Sequence, residues 1–490
     1  MSLTLPDILE EKAASFPDKP FLYTGKEVLT FRQLRDYSLS FASCFLKKGL
    51  KKGGRVAIIS RNSPRFIFAF FGTLYAGGIP VPLNYFLEEE MAEIFAEISP
   101  SLILLSEELL ATKQIIRNNF AGEILPLEEI PLEMAPREKL GKISFPEEAV
   151  ILYTSGTLGF PRGVVLTHAN LLSDVEACLD RIKVSVDDRF SLLLPLFHSF
   201  ALTACLLTPL YRGAGVVISG NLQKFEHALE IILRNKTSIF LAIPQIFALL
   251  NQIKLPALPF RFCVSGGEKL PPEVEEEFER KFGIPLLQGY GLTETSPVVS
   301  LNPEERRKKN SVGLPLKGVE VRILKEGKAV SAGEEGEIVI RGPMVMKGYW
   351  KKVEETRKVI KGSYLYTGDM GVMDEDGYLY IMDRKKDMVV LKGLNVYPSE
   401  VERYILKYPG VKESAVVGIN TERGEVLTAF VVCEKEIAEV ALRSFLLQHL
   451  AHYKVPRKIE FLSSLPRNPA GKVKKHVLRD LYSSKWKSSQ

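Results

Sequence analysis

The sequence predicts an α/β protein: a large N-terminal domain of layered helices and sheets ending in a β-rich subdomain, followed by a small α+β domain. Three observations lead there. A chain of 490 residues is too long for one hydrophobic core, which rarely grows past ~250–300 residues. Helical and strand-like patterns alternate as far as about Asn302, and such alternation specifies helices layered on a largely parallel sheet. Beyond that point the pattern changes to short strand-like segments bounded by Gly, Asp and Glu.

Taken in order, the N-terminal MSLTLPDILEEKAASFPDK carries early acidic residues and lacks the basic-then-apolar pattern of a signal peptide. LTFRQLRDYSLSFASCFLKKGL repeats its apolar residues at a period close to 3.6 and predicts a helix, and the apolar run 56–60 after it predicts a strand. Two uncharged stretches, 66–86 and 191–211, are interrupted by Gly77, Gly78, Pro80 and Pro82, and by Pro195, His198 and Pro209. Neither makes a continuous apolar helix of the ~20 residues a membrane span needs, so both read as buried helix and strand pairs. VEVRILK, GEIVIRG and YLYIMD supply the β-rich subdomain, about residues 311–383. DRKKDMVVLKGLNVYPSEVE then reads as a charged turn, a strand, a Gly-bearing loop and a helix started by Pro398 and Ser399. With runs at 415–418 and 428–433 and a helix near 440–452, this makes a compact domain of about 100 residues. The expected boundaries are 1–383 and 384–482, with a polar, frayed tail at 483–490.

Hydrophobic residues at 46% and charged residues at 25% exclude a disordered or fibrous chain. The net charge of +6, from 65 basic and 59 acidic residues, is too small on this length to imply a nucleic-acid partner. The positive excess lies late: from Arg384 onward there are 20 Lys and Arg against 11 Asp and Glu. Five widely spaced cysteines without a CxxC pair suggest neither a disulfide framework nor a zinc site, and fit a cytoplasmic protein. Monomer and homodimer are both compatible with the sequence, as is peripheral contact with a membrane.

Chemistry concentrates in a few glycine turns. In ILYTSGTLGFPRGVVLTHAN a strand enters a hydroxyl- and glycine-rich loop and returns as a strand. Glycines let backbone N–H groups turn toward a phosphate, hydroxyls add donors, and a basic residue offsets charge. A tight turn has the same glycines, and the GxxxxGK[ST] of a Walker loop is absent. CVSGGE and LQGYGLTETSP are further glycine turns after short apolar strands. There, backbone could approach a flat base, Tyr290 could stack on it, Thr293 could donate to a phosphate and Glu294 could hold Mg2+, although a lone Glu is more often a surface carboxylate. In Tyr366-Thr367-Gly368-Asp369, the Asp could accept both hydroxyls of a ribose.

The succession YTSGTLGFPRGV, GYGLTET, YTGD, DRKKDMVVLKGLNVYPSEVE and LPRNPAGKVKK resembles the acyl-adenylate-forming superfamily of acyl-CoA synthetases, adenylation domains and luciferases, over nearly the whole chain. The resemblance implies ATP, Mg2+ and coenzyme A as cofactor and co-substrates, with a carboxylic acid as the other partner. It places Thr154, Ser155, Gly156, Thr157 and Gly159 on the ATP phosphates. Gly266, Gly267, Glu268, Gly289, Tyr290 and Gly291 fall at the adenine, and Asp369 and Arg384 at the ribose. Thr293 matches the phosphate-binding Thr, and Glu294, with Thr154, the metal ligands. Lys386 matches the hinge between domains, Lys392, Gly393 and Leu394 the face beside the pantetheine, and Lys472 the lysine of adenylation. His198 in LPLFHSF matches the gate of the acyl pocket, with Phe197, Phe200, Ile243 and Val298 as wall residues. A lone His amid apolar residues is, by itself, more often a core histidine. The phosphate loop departs from the family pattern at Leu158, where Thr or Ser is common, and at Arg162, where Lys is common. Arg keeps the charge, so Arg162 is expected to serve catalysis in that place.

Two anions, a carboxylate and the α-phosphate of ATP, must react, so positioning and positive charge have to lower the barrier. The resemblance further implies that the small C-terminal domain is mobile and turns about Lys386, withdrawing Lys472 and presenting the Lys392–Gly393 face for the thiol. The resemblance points within the family to the medium- or long-chain fatty acyl group, with Ala201, Ala204 and Ala242 leaving room for a chain. Aryl and short-chain acids, a carrier-protein thiol, a silent nucleotide-binding protein and a Walker-type ATPase are the alternatives.

Overall fold

The computed structural model describes residues 3–85, 90–133, 143–154, 161–220, 224–255, 257–391, 394–421, 424–467 and 473–487. Its contacts divide the chain into a large unit, Met1–Arg322 with Val339–Tyr366 and Asp374–Tyr380, and a smaller one, Ile323–Ile338 with Thr367–Met373 and Ile381–Gln490.

Among the described residues, three sheets lie wholly within the large unit. In the nine-stranded sheet, Pro20–Tyr23, Arg189–Leu192, Gly215–Ile218, Ile239–Ala242, Phe262–Ser265 and Leu286–Gly291 run parallel, while Val28–Thr30 at one edge and Val298–Leu301 and Leu314–Pro315 at the other pair antiparallel. Interior parallel strands are covered on both faces and so read as unbroken apolar runs, which is how IFLA and FCVS appear. Alternation sends Leu241 and Val264 into the main core and Phe240 and Cys263 into a second core under the helices Phe225–Arg234, Pro244–Gln252 and Pro272–Phe282. A four-stranded sheet, Ile79–Pro82, Arg55–Ile59, Leu102–Leu105 and Ile124–Pro126, is parallel throughout. The third sheet is antiparallel: Glu148–Thr154, Arg162–Thr167 and Gly348–Tyr349.

Both uncharged stretches resolve as short helices and strands. The first becomes the helix Pro64–Tyr75, capped by the Ser63 hydroxyl on the Phe66 N–H at 3.2 Å, and the strand Ile79–Pro82. From Phe66 to Tyr75 every residue of that helix is buried, as expected of a helix apolar all round. The second contains the π-helical segment Ala201–Leu207, continued by Thr208–Arg212. Among the described residues no helix is long and apolar enough to cross a membrane.

The first helix, Leu5–Ser15, is fastened to the body through His168, whose Nδ1 accepts the Leu5 N–H at 3.2 Å. Burial lowers this imidazole from 6.5 to about 4, against the weaker pull of Asp7 and Glu148. The unfolded chain therefore binds the proton more readily than the folded one. Stability is complete above pH 6.5 and is lost as pH falls toward 4, by up to ~3 kcal/mol from this group. Melting temperatures of wild type and His168→Gln should converge as pH falls across this window; parallel curves would rule the histidine out as the cause.

The smaller unit wraps a three-stranded sheet, Val411–Thr421, Gly424–Cys433 and Lys458–Phe461. On one face Val416, Leu427, Ala429 and Val431 pack with Val401 and Ile405 of Pro398–Leu406 and Leu442 and Leu446 of Glu439–His449. On the other, Val417, Phe430 and Val432 pack with Leu478 and Tyr482 of Lys475–Lys487. That last helix continues to Lys487, beyond the point where the polar sequence suggests fraying. All five cysteines are free thiols: Cys178, Cys205 and Cys263 are buried, whereas Cys44 and Cys433 are partly exposed.

Candidate active site

Loops at the carboxyl ends of parallel strands are where open α/β sheets bind ligands, and two of the predicted motifs, CVSGGE and LQGYGLTETSP, fall there. Phe262–Ser265 ends in Gly266 and Gly267, and the neighbouring Leu286–Gly291 leads into Thr293–Thr295. Gly267 has φ +84°. A Cβ on Gly266 would sit 3.2 Å from the Phe200 ring, so bare backbone lies against that ring. Glu268 is exposed and accepts a hydrogen bond from the Gln245 amide. A Cβ on Gly289 would come within 3.2 Å of the Ser300 carbonyl oxygen, and Tyr290 is partly buried.

The Thr-Glu-Thr turn is unusually tight. Leu292 N donates to Pro297 O at 3.0 Å, and the Thr295 hydroxyl donates to the same oxygen at 2.7 Å. Buried Ser296 donates to Met344 O at 2.7 Å. These bonds hold Thr295 and Ser296 inward and leave Thr293 and Glu294 at the partly exposed apex. The Thr293 hydroxyl lies 3.3 Å from that of buried Ser199. Glu294 Oε1 accepts the Tyr349 hydroxyl at 2.9 Å, and its carbonyl accepts the Met346 N–H at 2.9 Å. Burial, reinforced by the Glu294 charge, pushes the Tyr349 phenol well up, so it remains a donor.

Thr154 and Arg162 face each other as paired residues at the mouth of their hairpin. Ser155, Gly156, Thr157 and Gly159, between them, lie outside the described residues. The Arg162 Nε is 2.8 Å from Glu355 Oε2, and its guanidinium lies over the Tyr349 ring, 5.2 Å from the centroid. Arg162 is therefore engaged within the protein, where the sequence suggests a cation offered to phosphate.

His198 is exposed, and its Nδ1 accepts the Phe200 N–H at 3.3 Å, so it is no core histidine. Its loop is clamped by Asn62, whose amide donates to Leu194 O at 2.7 Å and accepts from Leu196 N at 2.9 Å. Phe197 meets Tyr85 edge-on at 5.7 Å, Phe200 is buried, and Ile243 and Val298 are partly buried. Ala201 and Ala242 are wholly buried parts of the packed cores, and Ala204 is nearly so. Val298 N donates at 3.3 Å to Asp174, a fully buried carboxyl that desolvation drives well up despite that bond.

In the smaller unit, Asp369 follows Gly368, whose φ is +71°, and its Oδ1 pairs with Arg384 Nε at 2.6 Å. The Lys385 N–H on Gly368 O at 2.8 Å and the Thr367 hydroxyl on Ile338 O at 2.7 Å brace this turn. Lys386 lies between two anchored carboxylates. Asp383 accepts from Ser399 N at 2.9 Å, in the first turn of Pro398–Leu406, and Asp387 pairs with Arg479 at 2.7 Å. Leu394 is exposed on the hairpin Val389–Leu391 with Leu394–Val396. Lys392 and Gly393, between those strands in sequence, lie outside the described residues, as does Lys472. An isolated bridge from Arg467 to Val473 closes the base of the segment that carries Lys472. Just after it, burial works against the Lys475 ammonium, but Glu402 at 2.7 Å, with Asp383 and Asp387, outweighs this and holds its pKa up.

Asn62, Asp174, Ser199, Tyr349 and Glu355 escape sequence reasoning. None sits in a glycine turn, and each acts across a long stretch of chain.

Residues 9–350 match the family of AMP-binding enzymes and 400–472 its C-terminal domain, and the chain belongs to that family. Its relatives are acid–CoA ligases. It is 34% identical to a long-chain-fatty-acid–CoA ligase of Bacillus subtilis, over 96% of this chain and 93% of that protein. It is 33% identical to a 2-succinylbenzoate–CoA ligase of Bacillus cereus, over 98% and 99%. Among solved structures, o-succinylbenzoate CoA synthetase (MenE) from Bacillus subtilis with its acyl-adenylate intermediate superposes with a TM-score of 0.89 at 29% identity, covering 97% of this chain and 98% of that one.

Proposed function

We propose that this protein is an ATP-dependent acid–CoA ligase that forms an acyl adenylate and transfers the acyl group to coenzyme A, and that its acid is a medium- or long-chain fatty acid. The observation that carries the reading is the link between the two phosphate motifs. The turn bearing Thr293 and Glu294 is tied through Tyr349 to the strand that starts at Arg162, directly across from Thr154.

Mg2+ is bound by one or two carboxylates together with substrate phosphates, and the Glu294 carboxylate with the Thr154 hydroxyl is a donor set of that kind. When bound, the ion supplies positive charge against the phosphates. Thr293 donates to the phosphate, the Asp369 carboxylate receives the ribose hydroxyls while Arg384 orients it, and Lys472 brings the second positive charge to the α-phosphate. The small domain then turns about Lys386 so that Lys392, Gly393 and Leu394 guide the thiol.

The fatty acid is supported by the apolar character of Phe197, Phe200, Ile243 and Val298, and by the fatty-acid ligases among the relatives. A panel from acetate to palmitate, with benzoates and 2-succinylbenzoate, should be scored by pyrophosphate release and by thioester mass with and without coenzyme A. Each added methylene is worth ~0.8 kcal/mol, so kcat/KM should rise roughly fourfold per carbon until the pocket is full. Preference for 2-succinylbenzoate with no rise along the series would defeat the fatty-acid reading. Release of ADP, or no thioester from any acid, would defeat the ligase reading altogether.

A further inference from the structure

We propose that Tyr349 positions Glu294 for its metal, and that Arg162 and Glu355 serve this tyrosine instead of meeting the phosphates directly. This deepens the functional reading above and rests on it. Residues 346–350 grip Glu294 at both ends: Met346 N donates to its carbonyl and the Tyr349 hydroxyl to its Oε1. Among the described residues its other oxygen, Oε2, takes no hydrogen bond and no Lys or Arg pairs with it. A flexible carboxylate loses rotamer freedom when it binds a metal, and a fixed neutral donor bears that loss in advance. A cationic neighbour would hold the side chain equally well but would oppose the metal's charge.

Tyr349 is itself held on every side. Its N–H donates to the Thr356 hydroxyl at 2.9 Å, and its backbone pairs with Val164 in the strand of Arg162. The preceding Gly348 has φ +151°, and a Cβ there would lie 2.9 Å from Thr356 Cγ2, so a side chain would push that hydroxyl away. The Arg162 guanidinium covers the Tyr349 ring, and Glu355, in the helix Val353–Val359, supplies the carboxylate that occupies it. Stacking and pairing at once requires a planar fork, which gives a reason for Arg at a position where Lys is common.

The test uses the full chain with Tyr349→Phe and Glu355→Gln. Mn2+ is titrated by electron paramagnetic resonance in the presence of a non-hydrolysable ATP analogue, and AMP binding is measured by calorimetry without metal. One hydrogen bond to a charged group corresponds to roughly tenfold in affinity, so Tyr349→Phe should weaken Mn2+ by about that factor and leave AMP unchanged. Glu355→Gln, which does not touch the Tyr349 packing, should shift Mn2+ in the same direction by less. Wild-type Mn2+ affinity in both variants overturns the inference, as does an equal loss of metal-free AMP binding. If wild type itself holds no Mn2+ with the analogue, the functional reading falls, and the inference with it.

Discussion

Gly291→Ala is expected to destroy the Thr293–Glu294 turn and lower pyrophosphate release by at least about a hundredfold, the order of loss that follows removal of one preorganised donor at a reacting phosphate or oxyanion. A Cβ at this position would stand 1.7 Å from Pro297 O, 2.7 Å from Pro297 C and 3.1 Å from Val298 Cα. All three are backbone, so no rotamer change relieves the clash. Gly291 is paired with Val298 at a place where the register already shifts, and Pro297 O is the acceptor that closes the turn from Leu292 and Thr295. Overpacking ordinarily costs 1–3 kcal/mol, and here the strain is concentrated on the bonds that present the two apex residues. A melting curve together with the acid-dependent pyrophosphate assay tests this. A variant that melts and turns over like wild type would mean that the turn relaxes freely.

Lys472→Ala should separate the two half-reactions. Pyrophosphate release from acid and ATP should fall by about 10³, while thioester formation from a synthetic acyl adenylate should change by less than about threefold, because one positive charge is being removed from the first transition state alone. Equal loss in both assays would show that the lysine supports the fold or the whole cleft. Unchanged activity in both would remove it from the chemistry.

These two residues mark the limits of what the sequence discloses. Thr154, Thr293, Glu294 and Asp369 stand out in the sequence because each belongs to a short run whose residue types suit phosphate, metal or ribose, whereas Lys472 is read only from the resemblance of LPRNPAGKVKK to the family. Fold class is legible for a similar reason: fully buried parallel strands such as Ile239–Ala242 leave unbroken apolar words between glycines and helical stretches. What the sequence conceals is pairing at a distance. The third sheet joins Tyr349 to Val164, Asn62 reaches Leu194 and Leu196, and Ser199 meets Thr293, in each case through packing that no local spacing encodes. Arg162 illustrates the consequence. Its charge is plain in the sequence, but its engagement by Glu355 and Tyr349 depends on a helix and strand nearly two hundred residues away.

The distribution of thiols offers a practical instrument. Cys178, Cys205 and Cys263 are buried, which leaves the partly exposed Cys44 in the large unit and Cys433 in the small one as the thiols a maleimide reaches; burial raises these two as well, so labelling needs alkaline pH. The natural chain thus comes with one attachment point per unit for a donor and an acceptor dye. Energy transfer between them, followed while ATP, acid and coenzyme A are added in turn, would test the proposed turn of the small domain without an engineered cysteine.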